Sequence, residues 1–243
     1  MIIHICGASG SGKTTLGDKL QKYFKGNKVI VIDMDDIMDT FINKHIQEID
    51  TSDQFAIRYQ QFIDDYREQL SKKYKNIIFV GLNAFVVGES HYYEDKSGVE
   101  KIIKLPKKYF DLQSDYNFYI DLLDDIIIKQ MFYREYDNHI DWFSKWMKDR
   151  KDIVFNELVK NEDKAQKDIS IAINRLFDFA DIRKNIATWN KFYKSKKYEF
   201  LSREEIYNKI TNIIDSQKGG YYYKYQKYKK KYLQVHMDYN NTK

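Results

Sequence analysis

The chain has 243 residues, 43% of them hydrophobic and 32% charged, which is the profile of a folded protein with room for one large α/β domain or one domain plus an appendage. No apolar run approaches the ~18 residues needed to cross a bilayer; Ile2–Cys6 is too short and lacks the basic leader of a signal peptide, and the single cysteine, Cys6, rules out an internal disulfide and reads as a buried strand residue. The charge of +5 belongs to the C-terminus: residues 216–243 hold seven Lys and one Asp, leaving 34 basic and 35 acidic side chains elsewhere, so the body lacks the clustered cations of a duplex-binding face.

Taken in chain order, Ile2–Cys6 reads as a buried strand ending at Gly7. Residues 13–24 follow with helical spacing (Leu16, Leu20, Phe24) and Gly26 as a stop. Val29–Ile32 is a second apolar run, closed by Asp33. Residues 54–74 are expected to form an amphipathic helix, with Phe55, Ile57, Tyr59, Phe62, Ile63, Tyr66 and Leu70 on its apolar stripe. Ile77–Val80 is a third strand and Phe118–Ile120 ends a fourth. Residues 122–136 and 141–194 read as helical. Tyr198–Leu201 is a fifth strand, after which Ser202 caps a last helix with Glu205 in the capping-box position. Alternating strands and helices predict a parallel, doubly wound sheet. Residues 88–114 are too long and polar for an ordinary connection, and are expected to be an insertion over the active-site edge.

Gly7-Ala8-Ser9-Gly10-Ser11-Gly12-Lys13-Thr14 matches G-x-x-x-x-G-K-[ST], and Thr15 extends it into the helix. The pattern arises by chance in roughly one chain in a hundred of this length, and its place between a strand and a helix makes chance rarer still. The chemistry needs this arrangement. Glycines let backbone N–H groups turn inward onto phosphates, and the helix N-terminus adds partial positive charge. Lys13 is expected at the β- and γ-phosphates, with the Thr14 hydroxyl on Mg²⁺. The ligands implied are ATP and Mg²⁺.

Asp33, Asp35 and Asp36 follow the second strand. In doubly wound sheets ligands bind beyond the carboxyl ends of the strands, so these carboxylates stand where a proton acceptor for phosphoryl transfer is needed. Capping of a helix that begins near Ile37 is the plain alternative. The third strand ends in Gly81-Leu82-Asn83 with no carboxylate. Asn83 can bond a water or substrate without bringing charge.

The loop and its surroundings resemble the P-loop kinase superfamily of nucleoside, nucleoside-monophosphate and polynucleotide kinases. The likeness runs over the strand–helix order of residues 1–136 and the last strand and helix. It implies a P-loop NTPase fold with five parallel strands flanked by helices, a kinase-like domain over 1–215, a helical elaboration at 141–194 and a basic tail at 216–243. It also implies that Asp35 is the general base and that Asp33 holds substrate or a metal-bound water, with Asp36 able to replace Asp35. Arg134 becomes a lid arginine on the transferring phosphoryl group, with Lys129 as the alternative. The missing acid after the third strand departs from this pattern and argues against a fast ATPase more than against a kinase.

Arg58 and Arg67 lie on the 54–74 helix, where nucleotide-like substrates dock in such kinases; solvated surface arginines are the plainer reading. His91 and His139 have no partners at zinc-ligand spacing. Trp142, Trp146 and Trp189 read as packing residues. In the tail, six Tyr from Tyr221 to Tyr232 interleave with Lys, a pattern able to bind single-stranded nucleic acid or anionic lipid, or simply to stay solvated. The string resembles C-terminal Lys/Tyr tails on proteins of giant nucleocytoplasmic DNA viruses, which implies a viral source. The expectation is therefore a kinase acting on a nucleoside-like small molecule in a reducing cytoplasm, that of the host if the chain is viral. A polynucleotide 5′-hydroxyl kinase and a nucleotide-binding viral scaffold are the alternatives.

Overall fold

The computed structural model describes residues 1–26, 28–86, 90–94, 100–149 and 179–217. The elements are β1 (Ile2–Cys6), α1 (Lys13–Tyr23), β2 (Val29–Asp33), α2 (Met34–His45), a 3-10 turn (Ile46–Glu48), α3 (Ser52–Ser71) and β3 (Asn76–Val80). Four short strands follow: β4 (Ala84–Phe85), β5 (Ser90–Glu94), β6 (Glu100–Lys104) and β7 (Lys108–Tyr109). Then come β8 (Tyr116–Ile120), α4 (Asp124–Asp149), α5 (Phe179–Ser195), β9 (Glu199–Leu201) and α6 (Arg203–Ser216).

Five strands make one parallel sheet in the order β2-β3-β1-β8-β9. With helices on both faces, this is the P-loop NTPase fold that the strand–helix alternation predicts. Side chains along each strand alternate between two apolar layers, as a pleated sheet covered on both faces requires. Ile3, Ile5, Ile78, Val80, Phe118 and Ile120 pack against Leu16, Leu20 and Phe24 at α1 and against Ile206, Ile210 and Ile214 of α6. On the other face Ile77 and Phe79 meet Met34, Ile37 and Phe41 of α2 and Phe55, Tyr59 and Ile63 of α3, while Ile57, expected on the same stripe, turns to solvent. Also on that face, Cys6 and Tyr119 pack with Trp189 and Tyr193 of α5 and with Tyr198. Each such large side chain contributes about 1.5–3 kcal/mol by leaving water.

Part of the predicted insertion is structural. Residues 84–85 pair with 108–109, and 90–94 with 100–104, as antiparallel ladders, while Phe110 and Leu112 return to the α2–α3 core fully buried. The fourth helix runs on from residue 124 to 149, past the end predicted at 136, because its apolar spacing continues. Residues 150–178 of the predicted helical elaboration and residues 218–243 of the tail lie outside the described residues. Among the described residues no helix is long and apolar enough to cross a membrane.

Candidate active site

β1 delivers the chain to the carboxyl edge of the sheet, and residues 7–12 turn it into α1. Gly10 (φ 78°) and Gly12 (φ 82°) adopt the left-handed conformation that strains any residue with a Cβ. Gly10 has no room for one either: a Cβ there would stand 2.6 Å from Met131 Cγ and 3.3 Å from the Ile127 carbonyl oxygen. Helix α4 therefore lies directly over the loop. Gly12 is the N-cap of α1 and gives it no side-chain cap, so the positive end of that helix is open to an anion.

Lys13 reaches back along the loop, its Nζ donating to the carbonyl oxygens of Gly7 and Ala8 at 2.9 Å each. Burial lowers its pKa. The carboxylates of Asp35 and Asp33 work against that shift and the charge of Arg134 adds to it, so each of the three stands within electrostatic reach of Lys13. Arg134 follows Met131 by three residues on α4, one turn past the point that covers Gly10. Lys129, the alternative cation, stands 5.8 Å from the Tyr133 ring centre.

The acidic segment is a single construction. Asp33 caps α2, which starts at Met34, three residues before the expected position. Its Oδ1 accepts from the Asp35 backbone N–H at 3.0 Å and its Oδ2 accepts from the Thr14 hydroxyl at 3.3 Å. Capping and site chemistry, read from the sequence as alternatives, share one carboxylate. Across the ladder Asp33 faces Val80, and the next residue is Gly81 (φ 131°). A Cβ at Gly81 would stand 2.8 Å from Met34 Cβ and 3.4 Å from Asp33 Oδ1. The carboxylate usual at the end of such a strand is absent from β3, and the space beside that position is taken by Met34 and the Asp33 carboxylate.

Thr14, Asp33 and Asp36 line a cleft of about 290 Å³ with Gly17, Asp18 and Gln21. Mg²⁺ is commonly held by one or two protein oxygens together with phosphates and waters; the Thr14–Asp33 pair beside the loop fits that donor set. The Asp35 carboxyl has its pKa raised, first by partial burial and then by Asp33, Asp39 and Asp36, against the opposing pull of Lys13. Beside it, the buried Tyr59 phenol is pushed up by burial and by Asp35.

Two expected substrate residues stand elsewhere. Asn83 is buried; its Oδ1 accepts from Tyr193 Oη at 3.0 Å and its Nδ2 donates to the Phe110 carbonyl at 2.8 Å. That amide pins the segment entering residue 110 to α5. Arg58 pairs with Glu48 at 2.7 Å, both exposed, beside a different cleft of about 310 Å³ that includes Phe41, His45 and Phe62. Arg67 pairs with Asp64 at 3.3 Å, so each arginine has its own carboxylate partner. Trp189 packs in the core, and the side chains of His91, His139, Trp142 and Trp146 lie outside what is described.

Sequence reasoning passed over three residues at the site. His4 is fully buried beneath the loop, Nδ1 2.7 Å from Tyr198 Oη and Nε2 2.9 Å from the Gly81 carbonyl oxygen. Burial holds it down at a pKa of about 4, so it is neutral at physiological pH. Gly81 was read only as a strand stop, and Arg203 was not singled out; it lies against Gly12, with Nη1 2.7 Å from the point a Cβ would occupy. The one signal for Arg203 was its place just beyond the carboxyl end of the last strand.

A phosphate loop on the central strand, a helix carrying an arginine packed over it and a carboxylate pair at the end of β2, one strand removed, are the features of a P-loop protein of the kinase-like class. The family model described as Zeta toxin, a P-loop kinase-like family, matches residues 1–81, one third of the chain. The match spans the loop, Asp33–Asp36 and β3, and stops before Arg134. No curated protein matches the chain.

Proposed function

We propose that the protein is an ATP-dependent phosphotransferase that moves the γ-phosphate to a hydroxyl or phosphate group of a nucleoside, nucleotide or similar small molecule. The observation that carries this reading is the Asp33 carboxylate, which bonds the Thr14 hydroxyl of the phosphate loop with one oxygen and the Asp35 backbone with the other. It ties the nucleotide end of the site to the acceptor end. Residues 7–15 hold the phosphates through backbone N–H groups and the α1 terminus. Lys13 and Arg134 balance the charge that spreads over the transferring group. Thr14 and Asp33 would hold Mg²⁺, which would supply further charge neutralisation.

Asp35 acts as the base. As the acceptor oxygen bonds to the γ-phosphorus, the bond from that phosphorus to the bridging oxygen breaks, ADP leaves, and the acceptor's proton passes to the Asp35 carboxylate. A raised pKa suits this role, because a base closer to neutrality takes the proton more readily. The reading is tested by transfer of labelled γ-phosphate from ATP to pooled nucleosides, nucleoside monophosphates, sugars and 5′-hydroxyl oligonucleotides, with Lys13→Ala as control. Label taken up with the intact protein and lost in the variant supports it, and the pool that takes the label names the acceptor class. ATP binding with no labelled product in any pool overturns it in favour of a nucleotide-binding scaffold.

A further inference from the structure

Arg203 is the first residue of α6, and its position is set by rigid surroundings. Ser202 and Glu205 form a complete capping box, with the Glu205 side chain accepting from the Ser202 N–H at 2.9 Å. Ile206, Ile210 and Ile214 anchor the helix in the core. The end of β9 is tied to the end of β8 by the Asp121 N–H donating to the Leu201 carbonyl at 2.9 Å. From this base the Arg203 side chain lies along the phosphate loop. Its Nη1, Cδ and Cζ come within 2.7, 3.3 and 3.5 Å of the point where a Gly12 Cβ would stand.

Arg203 is half-buried, and among the described residues its guanidinium has no hydrogen-bond or ion-pair partner. A guanidinium carries five N–H donors and keeps its charge at any physiological pH. Here it abuts the N-cap of α1, where the helix dipole already places positive charge. Two like charges side by side favour an anion between them.

Strand order says which part of a nucleotide that anion belongs to. Thr14 and Asp33 approach the loop from the β2 edge of the sheet, and Arg203 approaches from beyond β9 at the opposite edge. Lys13 and the metal pair serve the β- and γ-phosphates. We infer that Arg203 binds the α-phosphate of the nucleotide, gripping its nucleoside end while Lys13 and Thr14 grip the other; this rests on the phosphate-loop reading above.

The test is calorimetric titration of the full-length protein with MgADP for wild type, Arg203→Ala, Arg203→Lys and Lys13→Ala. The two diastereomers of ADP carrying sulfur on the α-phosphorus are titrated alongside. Loss of a charge-assisted contact predicts at least about tenfold weaker MgADP binding in Arg203→Ala, partial recovery in Arg203→Lys, and an unchanged melting temperature. The wild type discriminates between the diastereomers, and that ratio narrows in Arg203→Ala. Unchanged MgADP affinity in Arg203→Ala, or weaker binding with the ratio preserved, overturns the inference and leaves the phosphate-loop reading standing. Failure of the wild type to bind MgADP, or equal binding by Lys13→Ala, overturns both.

Discussion

Replacing Asp35 by Asn removes one negative charge from a crowded segment while keeping the shape of the side chain. Two effects on stability oppose each other. A carboxylate in the first turn of α2 is favoured by the helix dipole, worth about 0.3–1 kcal/mol, and Lys13 also favours it. Partial burial and the neighbouring Asp33, Asp39 and Asp36 disfavour it, and the raised pKa says that these win. A carboxyl whose folded pKa lies above its unfolded value stabilises the fold when protonated; that contribution is complete below the ordinary value of 3.8 and is lost as pH rises through the folded value. Asp35→Asn should therefore be more stable than wild type at pH 7.5, and the advantage should vanish at acid pH. The site opens to solvent, and screening limits the gain to about 0.5 kcal/mol, or about 1–2 °C for a domain of this size. Phosphoryl transfer should fall by about 10²–10⁴-fold with MgADP affinity retained. Calorimetric scans at pH 7.5 and at about pH 3, below the ordinary carboxyl value, paired with the transfer assay, read both effects. An Asn variant that melts lower at pH 7.5 and transfers phosphate normally would refute the reasoning, since Asp35 would then be a dipole-stabilising residue and no base.

The remaining predictions test the loop and its metal pair. Thr14→Ala and Asp33→Asn should each raise the Mg²⁺ concentration needed for half-maximal nucleotide binding, and the double variant should cost less than the summed single losses because both act on one ion; strict additivity in a titration of Mg²⁺ would exclude a shared ion. Gly10→Ala puts a Cβ 2.6 Å from Met131 Cγ at a φ of 78°, so it should destabilise the protein by about 1–3 kcal/mol, with Gly10→Ala/Met131→Ala recovering the steric part; an unchanged melting temperature in Gly10→Ala would show that α4 does not press on the loop.

Much of this protein was legible along the chain, because its signals are local. Five apolar runs ending in Gly, Asp or Ser, a glycine-rich loop opening a helix, and Ser202 three residues before Glu205 each depend on near neighbours, and each forms as read. The phosphate loop in particular is a backbone device, and its glycines announce it. What the chain order hid depends on residues far apart in sequence. Asp33 and Met34 lie against Gly81 only because β2 lies next to β3 in register, and no spacing rule connects positions 33 and 81. Asn83 reads as a polar residue at a strand end, yet α5, about a hundred residues later, closes over it and engages its amide. Arg58 pairs with Glu48 because the 3-10 turn brings residue 48 back beside α3. Arg203 meets Gly12 because β9 is laid beside β8 at the edge of the sheet. Local propensity decides which residues become strand, loop and helix; the order in which strands assemble decides which side chains share an edge, and the chemistry of this site is built at that edge.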